Sequence, residues 1–325
     1  MRGLLLLYKG GIFIKKEFLT YDQQLEKLQK EKALTISDNT YARDTLMHIG
    51  YYSLITGYKQ LFLHPSSGKY LYGVTFEELT CFYYFDEELR TLFLKYILHI
   101  ERHLKSIISY HFCKKYGIEQ SHYLHPDNFN TSKKHQKSVY RLIHSLNACI
   151  SLPTHYKYIR HYATKYSNVP LWVAMNAVTF GQLSAFYQYM PNEIQAKVSK
   201  HFYGYSEKQL HQFITVIAKC RNVCAHGERL YDFHTTDAIP DTLLHKKLKI
   251  ATKNGSYISG KNDLFAIVIS LRYLMTNNEF RKFKSSLLSL IRQTLRKCPH
   301  ITETQLLTSM GFPLNWKNIC RYKYY

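Results

Sequence analysis

Hydrophobic positions recur at helical spacing along nearly the whole chain. Tyr21 to Lys32 carries Leu25 and Leu28 on one stripe, and a second helix opens at Ser37 or Asp38, either of which can cap it, and runs to about Ile49. From Phe76 to Tyr116 there is neither Gly nor Pro, and Leu89, Phe93, Ile97, Ile100, Leu104 and Ile108 hold the apolar period. Thr75 with Glu78 has the form of a capping box, so this stretch predicts one very long helix or two nearly collinear ones, ended by Gly117. Further helices are predicted near 132–150, 155–165, 171–178 and 180–190, with 118–131 left as loop. Ser206 and Gln209 form a second capping box for a helix reaching His226, with Leu210, Phe213, Ile214, Ile217, Cys220 and Cys224 inward and Gly227 placed to end it. Residues 232–262 read as loop, and helices near 263–276, 279–297 and 302–310 close the chain. Strand signals are weak and scattered, so the predicted class is all-α.

Composition adds size and charge to this picture. The 325 residues are enough for one large domain or two small ones, and 46% hydrophobic content rules out disorder for most of the length. The 44 Lys and Arg against 23 Asp and Glu leave a formal charge of +21, which attracts polyanions. Residues 241–325 alone hold 15 Lys and Arg against 4 Asp and Glu, about half the excess in a quarter of the chain. Seven cysteines without framework spacing, and an N-terminal Leu4–Leu7 run cut short by Lys9, predict a reducing, cytoplasmic setting without a signal peptide. No run approaches the ~18–20 apolar residues of a membrane span.

Three groups of residues could carry chemistry. In Arg221-Asn222-Val223-Cys224-Ala225-His226, Asn222 and His226 share a helix face at i, i+4, while Arg221 lies about 140° from His226. A guanidinium for phosphate, an orienting amide and a histidine at a helix C-terminus, where cations are favoured, suit phosphodiester cleavage. The same residues also make an ordinary polar patch at a helix end. Glu101 and Lys105 are an i, i+4 pair in the favourable order, read as a surface ion pair or as part of a cleft. Arg281, Lys282, Lys284, Arg292, Arg296 and Lys297 flank apolar residues of the C-terminal helices, either as a solvated face or as an RNA-backbone surface. The tail Arg321-Tyr322-Lys323-Tyr324-Tyr325 offers rings that could stack on bases. Cys220, Cys224 and His226, or His111, Cys113, His122 and His125, lack the paired spacing of a structural zinc site, and there is no phosphate-binding glycine loop. Neither a metal nor a cofactor is expected.

The Arg-x4-His string resembles the signature of the HEPN superfamily, and the wider pattern resembles its bacterial abortive-infection (Abi) family, AbiD/AbiF-like. The resemblance is carried in order by Leu19 to Leu25, by Gly50-Tyr51-Tyr52-Ser53-Leu54 with Gly57-Tyr58, and by Thr75 to Leu79 leading into Tyr84-Phe85-Asp86-Glu87-Glu88-Leu89-Arg90. Pro170-Leu171-Trp172 with Thr179 to Ser184, and Arg221 through Tyr231, complete it. Ser53 stands where relatives often have Arg, and Asp232 where many have Asn.

The resemblance covers about residues 18–235 and implies a HEPN helical bundle there, which leaves an N-terminal extension at 1–17 and a basic helical C-terminal region at 236–325. It implies a homodimer in which two motifs meet, and a metal-independent endoribonuclease that leaves a 2′,3′-cyclic phosphate. In that reaction Arg221, Asn222 and His226 are catalytic, and Glu101 and Lys105 line the cleft. It further implies toxin-like phage defence, RNA as target and a small structured RNA as regulator. The alternatives are a non-catalytic protein gripping a structured RNA with the same basic cleft, and a protein-interaction scaffold whose charge serves solubility.

Overall fold

A computed structural model describes residues 6–8, 11–13, 17–202 and 204–322. The class is all-α: fourteen α-helices and four very short strands occur among the described residues. The chain divides into two compact units, Met1–Phe85 with Gln293–Thr302, and Asp86–Arg292 with Glu303–Tyr325. None of the helices is long and apolar enough to cross a membrane among the described residues.

The first unit opens with a small antiparallel pair, β1 (Leu6–Tyr8) and β2 (Gly11–Phe13), within the predicted N-terminal extension. Helix α1 (Tyr21–Lys30) starts at Thr20, whose hydroxyl accepts from Gln23 N–H while Gln23 Oε1 accepts from Thr20 N–H at 2.9 Å. It packs on α2 (Asn39–Ile49), capped by Asp38, one of the two residues the sequence offers, and stopped at Gly50, whose φ of +86° suits glycine. A π-turn at Tyr52–Thr56 and a 3-10 turn at Lys59–Phe62 lead to the first residues of α3 (Phe76–Tyr116). Phe62 and Tyr58 meet Phe82 edge to face, closing an aromatic core. Only half of the predicted Thr75 capping box is made in its expected form. The Thr75 hydroxyl accepts from Glu78 N–H, but the Glu78 carboxylate turns to His300, 2.7 Å from Nδ1, a partner 222 positions away.

The second unit takes α3 onward from Asp86. The helix is single and unbroken over 41 residues and ends at Gly117, φ +93°. The region predicted as loop after it contains α4 (Gln120–Tyr123) and a 3-10 turn, Pro126–Asn128. Helices α5 (Gln136–Ile150), α6 (Lys157–Tyr166), α7 (Leu171–Ala174) and α8 (Phe180–Tyr189) follow the predicted order. The short α9 (Asn192–Ser199) comes between α8 and the motif helix α10 (Glu207–Ala225). The predicted 232–262 loop holds α11 (Leu243–Lys247) and a tiny hairpin of β3 (Thr252–Lys253) and β4 (Ser256–Tyr257). Next come α12 (Leu264–Leu274), α13 (Asn277–Lys297, whose last turn belongs to the first unit) and α14 (Glu303–Ser309).

Helix α10 is the centre of this unit and packs against α8, α9 and α12. Every residue of α12 is buried, as for a helix surrounded by its own protein, and its Arg272 donates from Nη1 to Asn277 Oδ1 at 2.8 Å and from Nη2 to the Tyr322 carbonyl at 3.2 Å. Phe283 of α13 meets Phe93 of α3 edge to face at 5.1 Å.

Candidate functional site

The motif sits where α10 ends. Ser206 and Gln209 make the predicted capping box, and Leu210, Phe213, Ile214, Ile217, Cys220 and Cys224 face the core. Burial and its contact with Cys224 push the Cys220 thiol well up, as befits a sulfur packed as a small hydrophobe. His226 forms the C-cap with φ −90° and ψ 1°, and Gly227 turns the chain out at φ +68°. Asn222 and His226 are both exposed, one turn apart on the same side of the helix. Among the described residues neither the Asn222 amide nor the His226 ring has a side-chain hydrogen-bond partner.

Arg221 lies on the flank, its side chain 29% exposed, and it faces α3. Its Nε is 3.8 Å from Glu101 Oε2, too long for a hydrogen bond, and both of those atoms are buried without any hydrogen-bond partner among the described residues. Glu101 itself is 6% exposed and pairs with Lys105 at 2.8 Å. Lys105 also donates to the Val178 carbonyl at 2.6 Å, which ties it to the turn before α8. The expectation of a surface ion pair at Glu101 and Lys105 is thus corrected. The pair is largely buried, because Glu101 falls within the apolar stripe of Ile97, Ile100, Leu104 and Ile108. Glu101, Lys105 and Arg221 are brought together; Asn222 and His226 stand outside this cluster on the exposed side.

A second carboxylate on α3 positions the segment after the motif, and sequence reasoning assigned it no role. Asp86 is fully buried and accepts from Arg90 Nη1 at 2.7 Å, from Leu230 N–H at 3.0 Å and from Tyr231 N–H at 2.7 Å. Arg90 Nη1 also donates to the Glu228 carbonyl at 3.4 Å. The chain leaving α10 is therefore fastened through its own backbone, and Leu230 and Tyr231 are buried. The signal was present: at about 100° per residue, Asp86 lies in the middle of the stripe of Phe82, Leu89 and Phe93, where a carboxylate needs partners. Downstream, Arg229 pairs with Asp232 at 2.7 Å.

The basic residues of α13 lie apart from this cluster. Arg281, Lys282 and Arg292 are exposed in the second unit, and Arg296 and Lys297 are exposed in the first. Lys284 is only partly exposed, and its ammonium donates to the Lys317 carbonyl, which anchors the 3-10 turn Trp316–Arg321. Of the tail proposed to stack on bases, Lys323, Tyr324 and Tyr325 lie outside the described residues. Among the described residues, no group of three or more His, Cys, Asp or Glu is placed to hold a metal ion.

No curated protein and no solved structure matches the chain. A family model described as Abi-like protein matches residues 44–232, more than half of the length, and its span takes in α3, both buried carboxylates and the motif.

Proposed function

The chain belongs to the Abi-like protein family, whose name ties it to abortive infection, the bacterial response to phage. From that membership we propose a cytoplasmic, toxin-like endoribonuclease whose site is the exposed end of α10. The observation that supports this reading is the separation of roles there. Arg221 is held beside a buried carboxylate, while Asn222 and His226 face outward together. In the reaction the RNA 2′-oxygen attacks the adjacent phosphorus, the P–O2′ bond forms and the P–O5′ bond breaks. One His226 takes the 2′-OH proton and another, from a second copy of the chain, gives a proton to the departing 5′-oxygen. The guanidinium of Arg221 stabilises the charge that builds on the phosphorane, so no metal is required for that task. Asn222 orients the imidazole or the phosphate. The products are a 2′,3′-cyclic phosphate and a 5′-OH.

The test is cleavage of RNA by protein freed of bound nucleic acid, in the presence of chelator. His226→Ala is expected to lower the rate by about 10²–10⁴, the range of general acid–base catalysis, while RNA affinity persists. The 5′ ends should accept a labelled phosphate from polynucleotide kinase without prior phosphatase treatment. Cleavage that survives His226→Ala sinks the proposal. RNA binding without any cleavage would favour the non-catalytic reading instead.

A further inference from the structure

A second stretch of uncompensated positive charge lies in the middle of the chain, made by missing carboxylates and not by extra cations. Between Asp127 and Glu193 there is no acidic residue in 65 positions, where the chain's average would put about five. Seven Lys and Arg fall in that interval. Lys133, Lys134, Lys137 and Arg141 lie before and along α5, and Lys157, Arg160 and Lys165 on α6; every one is exposed. None of them has a carboxylate partner among the described residues, whereas Lys30, Lys105, Lys115, Lys197, Lys219 and Lys317 all do. A solvated helix face ordinarily mixes signs and gains from i, i+4 pairs. These two faces forgo that gain.

The same faces carry rings. Helix α5 buries Val139, Leu142, Leu146 and Ile150, and on its opposite side Lys137, Tyr140, Arg141 and His144 fall within about 100° of arc. Helix α6 buries only Ile159 and exposes Tyr158, His161 and Tyr166 beside its cations. Helix α7 packs against both α5 and α6 and exposes Trp172 (46%). Cations without carboxylates, interleaved with exposed rings, are the combination that tracks a phosphate backbone and stacks on unpaired bases.

We propose that the exposed faces of α5 and α6, together with Trp172 of α7, form a binding surface for single-stranded RNA. The inference shares with the nuclease reading only the premise that the ligand is RNA. The surface lies on different helices from Arg221 and His226, and it grips the strand rather than cutting it. Paired RNA hides its base faces, so a duplex offers this surface phosphates but no rings to stack on.

The experiment measures anisotropy of a labelled single-stranded RNA of about 20 nucleotides on full-length protein carrying His226→Ala, across a salt series. Combining Lys137→Gln, Arg141→Gln, Lys157→Gln and Lys165→Gln should make the plot of log K against log salt shallower by about 0.7 per lost contact, close to 3 in all. Trp172→Ala and Tyr140→Ala should each weaken binding about tenfold and leave that slope unchanged. A melting curve for each variant separates loss of binding from loss of fold. An unchanged slope in the quadruple variant overturns the inference. So does equal binding of blunt duplex RNA that ignores Trp172→Ala, or a preference for anionic lipid vesicles over RNA. Binding that behaves as expected while wild-type protein cleaves nothing overturns the nuclease reading alone.

Discussion

Two acid–base pairs on one helix make the instructive comparison in this molecule. Asp86–Arg90 and Glu101–Lys105 are both i, i+4 pairs on α3, both are buried in an apolar stripe, and both reach the end of α10 or the chain leaving it. The first is saturated: Asp86 accepts from one guanidinium and two backbone N–H groups. The second is not, because Glu101 Oε2 and Arg221 Nε face each other at 3.8 Å and neither finds a hydrogen bond. A saturated buried ion cluster fixes backbone, since removing any member strands the others. An unsaturated one leaves a cation that a phosphate can recruit by displacing one long contact rather than a formed fork.

The difference can be broken by substitution. Asp86→Ala strands Arg90 and two backbone donors, so urea unfolding should report a loss of about 3–5 kcal/mol; a loss below about 1 kcal/mol would erase the distinction. Double-mutant cycles should then give a coupling of about 2–3 kcal/mol for Asp86 with Arg90 and under about 1 kcal/mol for Glu101 with Arg221. Glu101→Gln should cost about 1–3 kcal/mol in stability, less than Asp86→Ala, since the amide oxygen can still accept from Lys105 while the counter-charge is lost. On the proposed reading it should slow RNA cleavage about tenfold by releasing Arg221 from its set position. The smallest effect belongs to the exposed pair. Asn222→Ala and His226→Ala should leave stability within about 0.5 kcal/mol of wild type, and a larger change would mean that these side chains serve the fold.

Much of the helical order was legible from the chain because its stops are chemical. Gly117 and Gly227 sit at positive φ where the helices end, and Asp38 and Ser206 accept at the helix starts from the N–H three residues on. Illegible features were those whose reason lies far away in sequence. Glu78 has the spacing of a capping box, yet its carboxylate serves His300. Helix α9 offers only Ile194 and Val198 as a stripe after Pro191, too little to announce itself before it packs on α10. At the site, the shared face of Asn222 and His226, with Arg221 on the flank, follows from spacing alone. The approach of Arg221 to Glu101 does not, because 120 residues separate them. Asp86 was within reach, since a carboxylate amid Phe82, Leu89 and Phe93 needs partners, although nothing in its neighbourhood names Leu230 and Tyr231.

The unbroken course of α3 has a consequence for how such a chain can vary. Asp86 and Glu101 are fifteen residues apart on one rod, about 22 Å at the helical rise. A single-residue deletion between Arg90 and Glu101 would keep both pairs whole as local units. It would also turn one against the other by about 100° and shorten their separation by about 1.5 Å. The two ends of the motif segment would then ask for incompatible placements of α10. Insertions and deletions in residues 91–100 are therefore tolerable only in near-whole turns.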